Sequence, residues 1–408
     1  MNPLYVGIDV SSKTNVVYLM LPNGDKHSSF SVANSQDGAA QLVKKILSAL
    51  TSHSLDTVMI GMEATSVYGD NLVYFLREDA TLLPFNRKIF VLNPKQVNKF
   101  KEAYNDLPKN DSVDSFVIAD CLRFGRINKE VYIGDYHYKA LQNLTRARYF
   151  AVCNLVKEKQ RFMNVLFKKY STMTQEKVFS DTFSTTALAV YDEFESAEAL
   201  ADMDLHELTA FIMERGKNRF PDPDSVAKAI QKAARSSYRL PKTVNDSVNQ
   251  VLSISITSMK ALESQIKEFD KAIAAQMKLL PNVLTSIPGI GPVYAAGIMA
   301  EIGDINRFEN HAQLAKYAGL AWTQYQSGGF EAQTTRLIRS GNRFLKYYLC
   351  EAAFSLVRCD KEYSDFYHLK YKEVNRYQHK RALALTARKL VRLVFALLKD
   401  NRLYRPAK

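Results

Sequence analysis

Cysteine is scarce: the 408 residues contain four, Cys121, Cys153, Cys350 and Cys359, and no two form a CxxC pair. This spacing excludes a thiolate zinc module and offers no disulfide framework, so the thiols are expected reduced in a cytosolic protein. The opening stretch MNPLYVGIDVSS has no basic segment followed by an apolar run, and the sequence predicts no secretory signal. No apolar run approaches the roughly 20 residues that cross a bilayer, which leaves no membrane partner to expect. Acids are depleted toward the C-terminus. Residues 334–408 hold 18 lysines and arginines against 6 acids, a net +12 of the +13 of the whole chain. A tail this basic suits a polyanion, with nucleic acid the usual partner. A solvated surface that merely aids solubility is the alternative.

The composition, 47% apolar and 24% charged, is that of a globular protein, and the length allows two or three domains. Residues 1–130 alternate strand and helix signals. LYVGIDV, TNVVYLML and residues 28–33 read as strands, with a turn at Pro22-Asn23-Gly24-Asp25. Helices are predicted at 37–50, 67–78 and 111–124, and strands at 57–63 and 88–94. Three hairpin-like strands followed by alternating helices and strands predict an α/β domain with a mixed sheet. Residues 138–280 read as helical. Leu252, Met259, Ile266, Ile273 and Leu280 recur every seven residues, Leu262 and Phe269 fill the alternate seam, and Ser255 and Gln276 interrupt it. That stripe predicts a coiled coil, between protomers or within one chain. Residues 179–241 form a helical insert, and a third region runs over 281–408.

Several residues in this framework carry chemistry. Asp9 lies inside the first strand, Glu63 ends a later buried strand, and Asp111 and Asp114 sit three apart on one helix face. A carboxylate in an apolar strand is costly to bury unless it is paired or binds a cation. Together the four offer hard oxygen ligands to divalent metals, which can activate an attacking oxygen and stabilise a leaving one at a phosphodiester. Singly each has a plainer explanation: a strand-end acid bonded to backbone amides at Asp9, an N-cap at Asp111, a favourable first-turn acid at Asp114. Asp120 is a competing ligand. Further on, IPGIGPVYAAGIMAEIGD reads as a helix-hairpin-helix whose Gly289–Gly291 turn offers backbone N–H groups to a phosphate, or as an ordinary tight turn. Ser327, in QSGG, precedes two glycines that leave its hydroxyl accessible; a plain loop serine is the alternative, and Ser340 in RSGN its local rival. Arg336, Arg339, Arg343 and Lys346 flank it as phosphate clamps or as solvated helix charges. Tyr325, Phe330, Tyr347 and Tyr348 are candidates for base stacking or for core packing.

GIDVSSK, GMEATSVYG and KNDSVDSFVIADCLRFGRI resemble the N-terminal domain of the DEDD transposases of bacterial insertion sequences, and YAGLAWTQYQSGGFEAQTTRLIRSGNRFLKYYLCEAA resembles their second signature. The resemblance spans about 5–128 and 284–404, leaving the 179–241 insert outside. Lys109-Asn110-Asp111 stands where the family has Lys-Thr-Asp, and Asp114-Ser115 where it has Asp-Ala; neither change removes a carboxylate. The resemblance implies a RuvC-like, RNase H-type domain in which Asp9, Glu63, Asp111 and Asp114 hold Mg2+ or Mn2+. It implies a mainly helical C-terminal domain whose Ser327 attacks the scissile phosphate in a site composed from both domains. It also implies donor and target DNA, a guide (bridge) RNA, a dimer or tetramer, and work at the nucleoid. Three other readings compete. A RuvC-like junction nuclease would use metals alone, and a non-catalytic DNA-binding protein would need neither constellation. A sugar-kinase or actin-like ATPase shares the GIDVSSK turn, but the chain shows no second Gly-rich phosphate loop.

Overall fold

In the computed structural model the described residues are 2–64, 67–104, 107–108, 110–125, 136–176, 178–323, 326–327, 330–331 and 336–406, with backbone alone at 326–327 and 330–331. The chain divides into two compact units, 1–133 and 134–408. The regions 138–280 and 281–408, separate by sequence pattern, fall within one unit.

The first unit is built on a five-stranded sheet of order β3-β2-β1-β4-β5. Strands β1 (Pro3–Val10), β2 (Thr14–Met20) and β3 (Lys26–Ala33) form an antiparallel meander, while β4 (Thr57–Glu63) and β5 (Lys88–Leu92) run parallel to β1. The predicted mixed sheet is therefore present. On one face Leu4, Val6, Ile8 and Val10 pack with α1 (Gln36–Ser52) and α2 (Asp70–Glu78) in a common core. On the other lie α3 (Pro94–Lys101) and α4 (Asp111–Phe124), over Tyr5, Met59, Phe90 and Leu92. The predicted last strand stops at Leu92 because Asn93 caps α3 and Pro94 opens it.

Two glycines set how closely α4 lies on the sheet. A Cβ at Gly7 would stand 2.0 Å from the Ser115 carbonyl oxygen and 2.5 Å from the Ala119 nitrogen, and one at Gly61 2.9 Å from Leu122. Gly7 and Gly61 are paired in the β1–β4 register, so the helix backbone rests directly on the two central strands.

The second unit is helical. Its long helices α5 (Tyr136–Lys169) and, after the insert, Lys242–Met277 run antiparallel, as the Arg148–Asp270 and Glu158–Ser255 contacts require, both at 2.5 Å. The insert contributes α6 (Ser171–Glu176), α7 (Thr185–Glu193), α8 (Ala197–Asp202), α9 (Leu205–Arg215) and α10 (Pro223–Arg235), making Lys242–Met277 α11. The seven-residue stripe packs within the chain: Leu252 and Met259 share a core with Phe162 and Leu166 of α5, and Ile273 with Leu141. Ser255, which interrupts it, is satisfied by Glu158. Leu280 is buried beyond the end of α11.

Helix α12 (Pro292–Ile302) is buried through its last eight residues and is surrounded by α13 (His311–Tyr317), α14 (Arg343–Cys359) and, past α15 (Lys361–Lys372), α16 (Gln378–Asp400). Because α5 and α11 send Leu141, Ile273 and Met277 into that same core, the two sequence regions form one unit. Ahead of the Gly289–Gly291 turn, Leu284–Ser286 is a single 3-10 turn between Pro281 and Pro288, and α12 is the full helix that follows. Among the described residues no helix is long and apolar enough to cross a membrane.

Gly7→Ala is expected to destabilise the protein by about 3 kcal/mol, since the backbone of α4 must retreat. Gly291→Ala, whose Cβ would meet nothing within 4 Å, should stay within about 0.5 kcal/mol of the parent. Urea unfolding of the two variants checks the contrast; equal stabilities would contradict the close approach.

Candidate active site

The face of the sheet beneath α4 carries the first constellation. Side chains alternate along a strand, so Gly7 and Asp9 share a face of β1, as Gly61 and Glu63 do on β4. Ile8 pairs with Met62 in parallel register, so Asp9 and Glu63 come at the same end of neighbouring strands. Helix α4 starts over that end. Asn110 is its N-cap, its side chain accepting from the Val113 N–H at 2.8 Å, so Asp111 and Asp114 fall in the first turn. Asp111 is therefore not the cap. The helix N-terminus favours both charges.

The four acids feel one another. Burial raises the Asp9 carboxyl from 3.8 to about 6, and the charges of Asp111, Asp114 and Glu63 push in the same direction against the opposing Lys101. Glu63 is also raised, first by burial and then by Asp114, with Lys101 again opposing. Lys101, the last residue of α3, places its Nζ 2.6 Å from Asp114 Oδ1. Asp120 stands apart: Arg123 Nε donates to it at 2.7 Å and the Tyr104 hydroxyl donates to its other oxygen, an arrangement that ties the turn after α3 to α4. The oxygen chemistry of the quartet suits a hard divalent cation. Among the described residues, however, no three acidic, histidine or cysteine side chains stand together closely enough to hold a metal as they are. Lys109, Thr65 and Ser66 lie outside the described residues.

In the second unit, Ser327 ends β6 (Gln326–Ser327) and pairs with Phe330 of β7 (Phe330–Glu331). Gly328, Gly329 and Tyr325 lie outside the described residues. The stem of this hairpin is closed by a Trp322–Leu337 bridge, by Thr323 N–H to Arg336 O at 2.8 Å and by Ile338 N–H to Ala321 O at 2.9 Å. At its foot Gly319 and Gly341, both at positive φ, are in contact; a Cβ on Gly341 would lie 2.5 Å from the Gly319 nitrogen.

The anchor of this stem carries no periodic signal in the sequence. Glu301 of α12 is a fully buried carboxylate held by Arg146 at 2.7 and 2.9 Å and by Asn342 at 2.7 Å. Asn342 also caps α14 and donates its N–H to Tyr317 O at 2.7 Å. An acid alone among AAGIMAEI, with an arginine far away in the chain, is the signal that could have found it. Arg336, Arg339 and Arg343 are exposed and Lys346 is half-buried. Arg343 lies over the rings of Phe150 and Phe344, 5.4 and 4.7 Å from their centroids. Tyr348 is core, its hydroxyl donating to Thr145 O at 2.7 Å. Gly289 packs on the end of α14, where a Cβ would meet Cys359 Sγ at 2.9 Å, and its carbonyl accepts from Ser355 Oγ; Gly291 faces open space.

The raised Asp9 carboxyl makes a pH prediction. Below about pH 4 Asp9 is protonated in both folded and unfolded chains. Between 4 and 6 the unfolded chain ionises first, so stability falls as pH rises, then levels off. Asp9→Asn removes this penalty. With EDTA present it should be more stable than the parent by about 1–3 kcal/mol at pH 8, discounted for partial solvent screening, and converge with it near pH 4. Urea titrations at the two pH values check this; a pH-independent difference would contradict it.

Comparison with known proteins places these features in a family. Residues 6–170 match the DEDD transposase model named for IS110, and residues 282–368 match the transposase IS116/IS110/IS902 family model. The insertion element IS116 44.8 kDa protein of Streptomyces clavuligerus is 27% identical over 80% of each chain. The IS900 42 kDa protein of Mycobacterium paratuberculosis is 24% identical over 99% of this chain and 98% of its own. The transposase for IS1111A of Coxiella burnetii is 29% identical over 39% of this chain and 44% of its own. With both halves matched in the same order, the chain belongs to the IS110-type family of DEDD insertion-element transposases.

Proposed function

We propose that this transposase moves its element by cutting and rejoining DNA strands, with Asp9, Glu63, Asp111 and Asp114 as an acidic metal-binding site and Ser327 as the nucleophile. The observation that carries the reading is the placing of four acids at one end of the sheet, where burial first and then three other carboxylates raise Asp9, with one ammonium opposing. A fold gains no stability from crowding like charges, so such a group marks a place built for a cation or a reaction. A bound Mg2+ or Mn2+ supplies neutralising charge at the scissile phosphate and polarises its oxygens.

The residues of the chain do the rest. Asp9 and Glu63 are fixed by the β1–β4 register, and Asp111 and Asp114 by the Asn110 cap, so the quartet is positioned by backbone rather than by flexible side chains. The backbone of Ser327 pairs with Phe330 in a short hairpin, and near its foot Asn342 reaches buried Glu301. In the proposed step the Ser327 Oγ–P bond forms as a P–O bond of the DNA strand breaks. The hydroxyl proton leaves to a base or solvent, and the departing strand oxygen is protonated. The phosphoserine linkage conserves the bond for rejoining. The exposed Arg336, Arg339 and Arg343, with Lys346, contact phosphates of donor or target DNA. Base choice passes to a structured guide RNA, and homo-oligomers bring two DNA sites together, as the family resemblance implies.

Incubation with element-end DNA, its flanking RNA transcript and Mg2+ should give a covalent protein–DNA adduct. Ser327→Ala and Asp9→Asn should each lower adduct and strand exchange by about a thousandfold or more. Full DNA cleavage by Ser327→Ala would instead indicate a nuclease that hydrolyses through metals alone.

A further inference from the structure

Lys101 is placed with care. Helix α3 is tied to α4 by Phe100, whose ring lies 5.6 Å from Phe124, and the turn that follows α3 by Tyr104 on Asp120. The tie leaves Lys101 over the first turn of α4, its ammonium 2.6 Å from Asp114 Oδ1, with 22% of its side chain exposed against 33% for Asp114. Its charge reaches beyond this partner, since both Asp9 and Glu63 feel it. A hard divalent cation on the same oxygen would sit at about 2.0–2.6 Å, in the volume the ammonium fills. Like charge would drive the two apart. A cation on that carboxylate would bind against the full ammonium charge.

We propose that Lys101 is the resident counter-ion of the acidic quartet: it holds Asp114 until a divalent cation displaces it, and so sets the affinity of the site for that cation. The proposal rests on the cation-binding reading above. Lys101 is a positioning residue that acts through Asp114.

Mn2+ binding to the full-length protein, without nucleic acid, tests it by electron paramagnetic resonance of free Mn2+. Lys101→Met and Lys101→Gln should each bind Mn2+ about five- to tenfold more tightly than the parent, as loss of one close, partly screened charge requires. Adding Asp9→Asn to either should abolish the gain. Lys101→Gln keeps a donor for Asp114 and guards against a packing defect, and urea unfolding verifies that each variant is folded. Unchanged or weaker binding in both Lys101 variants, with Asp9→Asn still lowering affinity in the parent, would overturn the counter-ion role and leave the cation reading standing. Absence of specific Mn2+ binding in every form would overturn both.

Discussion

The backbone of α4 lies directly on β1 and β4, and the first unit's chemistry depends on that contact. Gly7 and Gly61 permit it, because a side chain at either position would meet the helix or its residues below normal contact distance. Two residues further along each strand, on the same face, stand Asp9 and Glu63; one turn back along the helix stand Asp111 and Asp114. The same close packing that completes the hydrophobic layer therefore crowds four acids at one end of the sheet. Packing and chemistry are joined in one contact.

Buried charge is handled in two opposite ways. Among the described residues of the second unit, the buried ions Glu301 and Lys169 are both compensated. Glu301 accepts a bidentate arginine and a capping asparagine, and the Lys169 ammonium donates to the Tyr191 and Phe194 carbonyls. These groups fasten elements and are costly to break. At the quartet the acids repel, and Lys101 offsets only part of the charge. The first pattern builds structure; the second stores an electrostatic demand that a cation and a phosphate can meet.

Much of this was legible in the sequence, for reasons that can be stated. Strands β1, β2 and β4 carry strong apolar runs and residues 111–124 a helical pattern, so Asp9, Glu63, Asp111 and Asp114 were assigned to the right elements, although the cap of α4 is Asn110 and not Asp111. Helix α3 was missed because in PKQVNKFK only Val97 is buried, which leaves no periodic stripe, and Lys101 was missed with it. The seven-residue stripe of α11 was visible, but its partner was not. Period alone does not distinguish a second protomer from α5, and the polar pairs Arg148–Asp270 and Glu158–Ser255 that fix the match join residues about a hundred apart. Asn342 drew no notice in the sequence, although it caps α14 and reaches Glu301 from 41 residues away. Long-range polar pairing is what single-sequence periodicity does not encode.

The central claim is that the quartet is one cation site, shaped by the seating of α4 on β1 and β4. A crystal structure of the full chain with its DNA and Mn2+, with the ion located by anomalous scattering, tests this most directly. The account predicts an Mn2+ peak with carboxylate oxygens of Asp9 and of at least two of Glu63, Asp111 and Asp114 at about 2.0–2.3 Å, and Lys101 withdrawn from Asp114. An anomalous peak at other side chains, with the Lys101–Asp114 pair intact beside the bound DNA, would contradict it.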